Sequence, residues 1–212
     1  MQKRQVINLD DNTRAIVLTD IHGCMEELQR KLKEINFCED DVLVIAGDAI
    51  DRGPDSLAVV TFIAKSPNVY CIRGNHEDML LSAIYTGEYE HLQNLVMNGG
   101  KWALLLAPED LKFVRSEIRS WPLTIEINKG GKRYGVIHAE PDSLDWNTVG
   151  SQQPAQVLWV RARHRDPDAK DVENVDAIFC GHTILDRPKW TGNVLHMDMG
   201  AFLGNKLHHV EL

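Results

Sequence analysis

Five short apolar runs in this chain each lead into a residue able to ligate a metal or move a proton. That coincidence constrains the fold more than any other feature. Ala15-Ile16-Val17-Leu18-Thr19 leads into Asp20-Ile21-His22-Gly23, and Val42-Leu43-Val44-Ile45-Ala46 into Gly47-Asp48-Ala49-Ile50-Asp51-Arg52-Gly53. Val69-Tyr70-Cys71-Ile72 leads into Arg73-Gly74-Asn75-His76-Glu77, Tyr134-Gly135-Val136-Ile137 into His138, and Ala177-Ile178-Phe179-Cys180 into Gly181-His182. Unbroken apolar runs of this length suit strands buried on both faces. Helix-period segments separate the first three: Met25, Leu28, Leu32 and Ile35, then Leu57, Val60, Ile63 and Ala64 between Pro54-Asp55-Ser56 and Ser66-Pro67. A third helix is predicted from near His76 through Met79, Leu80, Ala83 and Ile84, ending before Gly87. Strand alternating with helix predicts right-handed βαβ units and a largely parallel sheet, and the carboxyl edge of such a sheet is where ligands bind.

Beyond that region the pattern predicts a helical insertion or cap over about 88–121, within a single domain spanning 1–212. It includes Asn98-Gly99-Gly100 and a helix from Asp110 to Trp121 that Pro122 ends. A hairpin follows, Leu123–Ile127 and Tyr134–His138 joined at Gly130-Gly131. Residues 140–175 read as polar and irregular, with a helix around Gln156–Arg163, before strands at 177–180, 194–199 and 207–212. The net charge of −8 argues against broad attraction to nucleic acid or to an anionic membrane, so neither is expected as a partner. An anionic substrate would need a local basic pocket. Cys24, Cys38, Cys71 and Cys180 show no paired spacing and read as reduced thiols. With no signal-peptide pattern behind Lys3-Arg4 and no apolar run of spanning length, a cytoplasmic protein is expected.

The residue types at the strand ends define the chemistry. Asp20 and His22, two apart on an extended backbone, should point the same way and reach one ion. Asp48 has two oxygens and can bridge two ions, while Asn75, His138 and His182 each add a neutral donor. Carboxylate, imidazole and amide without thiolate favour Mn²⁺, Fe or Zn²⁺ in an open, catalytic site. Two ions so held suit displacement at phosphorus. His76 follows Asn75 and should diverge from it toward substrate, able to protonate a leaving oxygen if a carboxylate orients it. Asp51 is the natural orienter, and Arg52 offers a guanidinium matched to two phosphate oxygens. Arg73 is assigned to a structural pairing with Glu77 or Asp78. Trp102 and Trp121 read as packing residues, and His91, His164, His196, His208 and His209 as surface or core histidines.

In this order, Asp20-Ile21-His22-Gly23, Gly47-Asp48-Ala49-Ile50-Asp51-Arg52-Gly53 and Gly74-Asn75-His76-Glu77 resemble the signatures of calcineurin-like metallophosphoesterases. Within that family the chain is most similar to bacterial and phage phosphoprotein phosphatases of the PPP type. Asn98-Gly99-Gly100, Leu158-Trp159-Val160-Arg161, Gly181-His182-Thr183 and Met197-Asp198-Met199-Gly200-Ala201 extend the likeness over essentially the whole length. The resemblance implies an α/β sandwich of two mixed β-sheets flanked by helices, with a dimetal site at the sheet edge. It implies one ion on Asp20, His22 and Asp48 and a second on Asp48, Asn75, His138 and His182, with Mn²⁺ the usual activator. Arg52 and Arg161 would hold phosphate, with Arg163 the rival of Arg161, and Asp51–His76 would be the acid. The implied activity is hydrolysis of phosphoprotein or phosphopeptide monoesters by in-line attack of a hydroxide between the ions. A symmetrical diadenosine tetraphosphate hydrolase on the same scaffold is the alternative, since Arg52-Gly53-Pro54-Asp55-Ser56-Leu57 is reminiscent of those enzymes while Asp51 argues against them. A non-catalytic adaptor would need a broken ligand or acid, and none is broken.

Overall fold

Alternation inside each strand decides the layering. The structure is a computed structural model and describes residues 4–151 and 153–212. Met1, Gln2 and Lys3, at the head of the segment that lacks a signal-peptide pattern, lie outside the described residues, as does Gln152. Strand β1 (Arg4–Asn8) is followed by β2 (Ala15–Leu18), α1 (Met25–Glu34), β3 (Val42–Ile45), α2 (Ser56–Lys65), β4 (Val69–Cys71) and α3 (Asn75–Thr86). Helices α4 (Tyr89–Met97) and α5 (Pro108–Ser120) flank a 3₁₀ turn at Gly100–Leu105. Then come β5 (Thr124–Lys129), β6 (Lys132–Val136), α6 (Pro154–Trp159), β7 (Ala177–Cys180), β8 (Lys189–Thr191), β9 (Val194–His196) and β10 (His209–Glu211).

One sheet has the order β10-β2-β3-β4, the other β1-β5-β6-β7-β9-β8. In the first, β2, β3 and β4 run parallel and β10 antiparallel, so the βαβ expectation holds. The second sheet is also mixed, with β1 parallel to β5 and β6, β7 and β9 mutually parallel. Ala15, Val17, Val42 and Val44 meet Ile125, Ile127, Val136, Phe179 and Leu195 in the layer between the sheets. The alternate residues Ile16, Leu18, Leu43 and Ile45 face the opposite way, onto α1, α2, α3 and α5. Ile137, Ile178, Cys180 and Val194 lie under Trp146, Val157 and Leu158 on the far side. This is the sandwich of two mixed sheets flanked by helices, and burial on both strand faces explains the unbroken apolar runs.

The differences are local. α5 begins at Pro108, two residues before Asp110, because proline is favoured in the first turn. α6 likewise starts on Pro154 and stops at Trp159, short of Arg163, where Val160 turns extended with ψ 141°. Within 88–121, α5 buries Val114 and Ile118 in the same core as Val59 and Ile63 of α2, and α4 adds Leu95 to it. Among the described residues no helix is long and apolar enough to cross a membrane.

Candidate active site

The parallel strands end side by side and deliver the sequence-selected residues to one edge. Asp20, His22, Asp48, Asp51, Asn75, His76, His138 and His182 are each no more than 4% exposed. The local backbone is strained there: Asp20, His22, Asp48, Asp51, Arg52 and His182 all have positive φ, a conformation costing about 1–3 kcal/mol per residue. Asp20 (φ 37°) and His22 (φ 49°) therefore do not project from an extended backbone as the sequence suggested. A left-handed turn separates their tasks. Both Asp20 oxygens sit 3.1 Å from the His182 N–H, whereas His22 Nε2 stands 3.6 Å from Asp48 Oδ2.

Asp48 is the hub. Its Oδ1 accepts the His76 N–H at 3.0 Å, placing the carboxylate at the positive N-terminus of α3. Gly74 makes room for it, since a Cβ there would stand 2.1 Å from Asp48 Oδ1. Glu77 holds the same turn from below. Its Oε2 accepts from Asp48 N (2.9 Å) and Gly74 N (2.7 Å), and its Oε1 from Ala49 N (2.9 Å) and Ile50 N (3.3 Å). Glu77 is thus committed to backbone and not to Arg73. Burial, then the Asp48 charge, lift Glu77 to about 7 against the pull of the Gly74 N–H.

Three histidines are pre-set as lone-pair donors. His22 Nδ1 meets Ile50 O at 3.0 Å, His138 Nδ1 meets Ala46 O at 2.9 Å, and His182 Nε2 meets Trp159 O at 3.1 Å. A carbonyl can only accept, so each of those nitrogens carries a proton and the opposite nitrogen faces the site. There His138 Nε2 lies 2.9 Å from Asn75 Oδ1, 3.1 Å from His182 Nδ1 and 3.3 Å from Asp48 Oδ1. So many acceptors around one point fit a cation. Among the described residues, His22–Asp48–His76 and Asp48–His138–His182 each bring ligand atoms within 4.8 Å of one another, sharing Asp48, while Asp20 stands outside both groupings. Burial holds both His22 and His182 near 3 and therefore neutral, helped by His76 and Arg52 at His22 and by His138 and Arg161 at His182. Burial opposes charge on His138 too, but Asp48 and Asp20 outweigh it and lift His138 to about 10, so its Nε2 carries a proton that a bound cation would have to displace. Burial and then the Asp198 charge push Asp20 well above the usual carboxylate range. Asp198, 4% exposed and held at about 6 chiefly by burial, is a carboxylate at this edge that sequence reasoning left without a role.

The remaining residues flank the cluster. His76 Nδ1 is 2.7 Å from Asp51 Oδ2, and His76 Nε2, buried 3.9 Å from Asp48 Oδ2, has no hydrogen-bond partner among the described residues. His76 therefore faces Asp48 and meets the His22 ring edge-on at 4.7 Å, and does not turn away from them. The other Asp51 oxygen accepts the Trp102 indole N–H at 2.7 Å, so Trp102 is more than a packing residue. Exposed Arg52 reaches His22 Nε2 at 3.0 Å with its guanidinium 4.4 Å above the Phe202 ring. Exposed Arg161 leans on the His182 carbonyl at 3.3 and 3.4 Å. Arg163 is turned elsewhere, donating to Thr191 O at 3.1 Å and to Lys170 O.

A sequence model described as calcineurin-like phosphoesterase matches residues 13–186. Serine/threonine-protein phosphatase 1 of Salmonella typhimurium is 32% identical over 197 residues, covering 90% of this chain and 88% of that protein. The symmetrical bis(5'-nucleosyl)-tetraphosphatase of Nitrosococcus oceani is 36% identical over 173 residues, covering 80% of this chain and 55% of that one. Among solved structures, a cold-active protein-tyrosine phosphatase of a psychrophile Shewanella species matches with a TM-score of 0.66 at 19% identity, over 99% of this chain and 78% of that chain, a likeness of fold.

Proposed function

The chain belongs to the calcineurin-like phosphoesterases, and on that premise we propose that it is a metal-dependent phosphoprotein phosphatase of the serine/threonine type. The observation that carries this reading is the buried Asp51–His76 pair, whose unpartnered Nε2 opens beside Asp48. A seryl or threonyl alkoxide is a poor leaving group and needs a proton as the P–O bond breaks, and a carboxylate-oriented imidazole supplies it.

Asp20, His22 and Asp48 would hold one divalent ion and Asp48, Asn75, His138 and His182 another; Mn²⁺, Fe and Zn²⁺ all suit this oxygen and nitrogen set, and the resemblance favours Mn²⁺. Such ions supply Lewis-acid charge neutralisation and an acidified water. The chain's own residues do the rest. Arg52, now resting on His22 and Phe202, swings onto two phosphoryl oxygens, and Arg161 takes a third from the His182 side. Asp51 keeps the proton on Nδ1, which aims Nε2–H at the departing oxygen. The strained turns hold these groups in place before substrate arrives.

The similarity to a symmetrical tetraphosphatase supports a second reading, hydrolysis of dinucleoside polyphosphates. There the leaving group is a nucleotide, already a stable anion, and Asp51–His76 would have little to do. Turnover of a phosphoserine peptide and of diadenosine tetraphosphate, each with Mn²⁺, separates the two. The phosphatase reading expects the peptide to have the larger kcat/KM, and the reverse order would replace it with the second reading.

A further inference from the structure

The Asp51 carboxylate is wholly buried and uses one oxygen for His76 and the other for Trp102, both at 2.7 Å. Asp51 lies in a turn with φ 70°, followed by Arg52 at φ 67°, so no helix or strand ladder fixes its side chain. His76 has no second hydrogen bond to hold its ring, because its Nε2 is unpartnered among the described residues and His22 meets it only edge-on at 4.7 Å. The direction of the imidazole thus depends on Asp51, and the carboxylate plane depends on the indole N–H. Trp102 reaches it from the 3₁₀ turn after α4, 51 residues along the chain. That segment is built to lie close. Gly99 (φ 96°) accepts the Arg52 N–H at 3.4 Å, and a Cβ on Gly99 would stand 2.6 Å from Arg52 N.

We propose that Trp102 is a positioning residue for proton donation, its indole N–H holding Asp51 so that His76 Nε2 aims at the leaving oxygen. This rests on the phosphatase reading above. As a water-derived oxygen bonds to phosphorus and the P–O bond to the leaving group breaks, the electron pair of the broken bond passes to the leaving oxygen, which takes the proton from Nε2. His76 is left neutral, its Nδ1–H still on Asp51. Donation matters for an alkoxide and hardly at all for nitrophenolate, which leaves unaided. A packing residue would not tell the two apart.

The test compares Trp102→Phe with wild type, both loaded with Mn²⁺, on a phosphoserine peptide and on p-nitrophenyl phosphate. A charge-assisted hydrogen bond of this kind is worth about tenfold in rate. We expect kcat on the peptide to fall about tenfold while kcat on the nitrophenyl ester stays within about twofold. In an Asp51→Asn background the same substitution should add no further loss, because the two residues act as one unit. Equal losses on both substrates, or additive losses in the double variant, would overturn the assignment. So would an unchanged peptide rate. NMR of the unloaded protein reads the bond itself, as one downfield indole N–H resonance that moves in Asp51→Asn; its absence also overturns the proposal. Wild-type protein that hydrolyses neither ester would instead remove the phosphatase reading, while the indole resonance would still report the bond.

Discussion

Replacing Glu77 by Gln should unfasten the Asp48 turn. Each carboxylate oxygen accepts two backbone N–H groups, from Asp48 and Gly74 on one side and from Ala49 and Ile50 on the other. The amide keeps one oxygen, so two of these buried donors would face an NH₂ group. A buried donor left unsatisfied costs about 1–3 kcal/mol, which puts the loss at about 4 kcal/mol for the pair with the stranded amide hydrogens included. Domains of this kind have about 5–15 kcal/mol in total, so the variant should still fold. Its urea midpoint should drop with unchanged slope, and its melting temperature should fall by about 10 °C. Asp48, at φ 50°, would then be held less firmly against α3, and Mn²⁺ affinity should weaken by roughly 10–100-fold. Calorimetric titration of the folded variant measures that second effect. A stability loss under about 1 kcal/mol, or metal affinity equal to wild type, would refute the role given to Glu77.

Other substitutions address the remaining parts of the site and the core. His76→Asn should cut phosphoserine turnover by about 10²–10⁴-fold with metal content unchanged, and near-normal turnover would remove His76 as the acid. Arg161→Ala should lower kcat/KM by about tenfold or more through lost phosphate contacts, whereas Arg163→Ala should leave it within about twofold and reduce stability; the opposite ranking in steady-state assays would exchange their roles. His196 is wholly buried, 3.0 Å from Thr191 Oγ1, and burial, then His164 and other nearby cations, hold it at about 4 against 6.5 in the unfolded chain. The unfolded chain therefore takes up a proton that the folded one refuses, so stability present above pH 6.5 is lost as pH falls toward 4, by about 3 kcal/mol. Urea unfolding across that window should show the loss, and His196→Gln should flatten it; an identical slope in both would count against His196 as its source.

Local pattern carried much of this molecule. The runs Ile16–Leu18 and Leu43–Ile45 are buried on both faces, and glycine, proline and serine punctuation located α2, the β5–β6 hairpin and the three signature turns. Contacts between distant segments were not legible. β1 contains only Val6 and Ile7 as apolar residues, and its pairing with β5, Arg4 opposite Thr124, is specified by tertiary packing and not by its own composition. β8 is three residues at a sheet edge, too short for any periodicity. The convergence of strand ends could be read, but the positive φ of Asp20 and His22 could not, because neither residue type demands it. Trp102 occupies a helical-looking position, and its bond to Asp51 depends on how α4 turns back over the 51–52 loop. Arg161 and Arg163 differ by two residues in sequence, and only the fold around His182 and Thr191 sends them different ways.

Asp48, shared by both groups of ligand atoms, is the proposed anchor of a metal-dependent site. The most direct test of that role is metal titration of chelator-stripped protein alongside release of phosphate from p-nitrophenyl phosphate, for wild type and Asp48→Asn. We expect wild type to bind two Mn²⁺ per chain and to gain activity as they bind, and Asp48→Asn to lose both tight binding and turnover. Hydrolysis undiminished in excess chelator, or Asp48→Asn binding two ions as tightly as wild type, would contradict it.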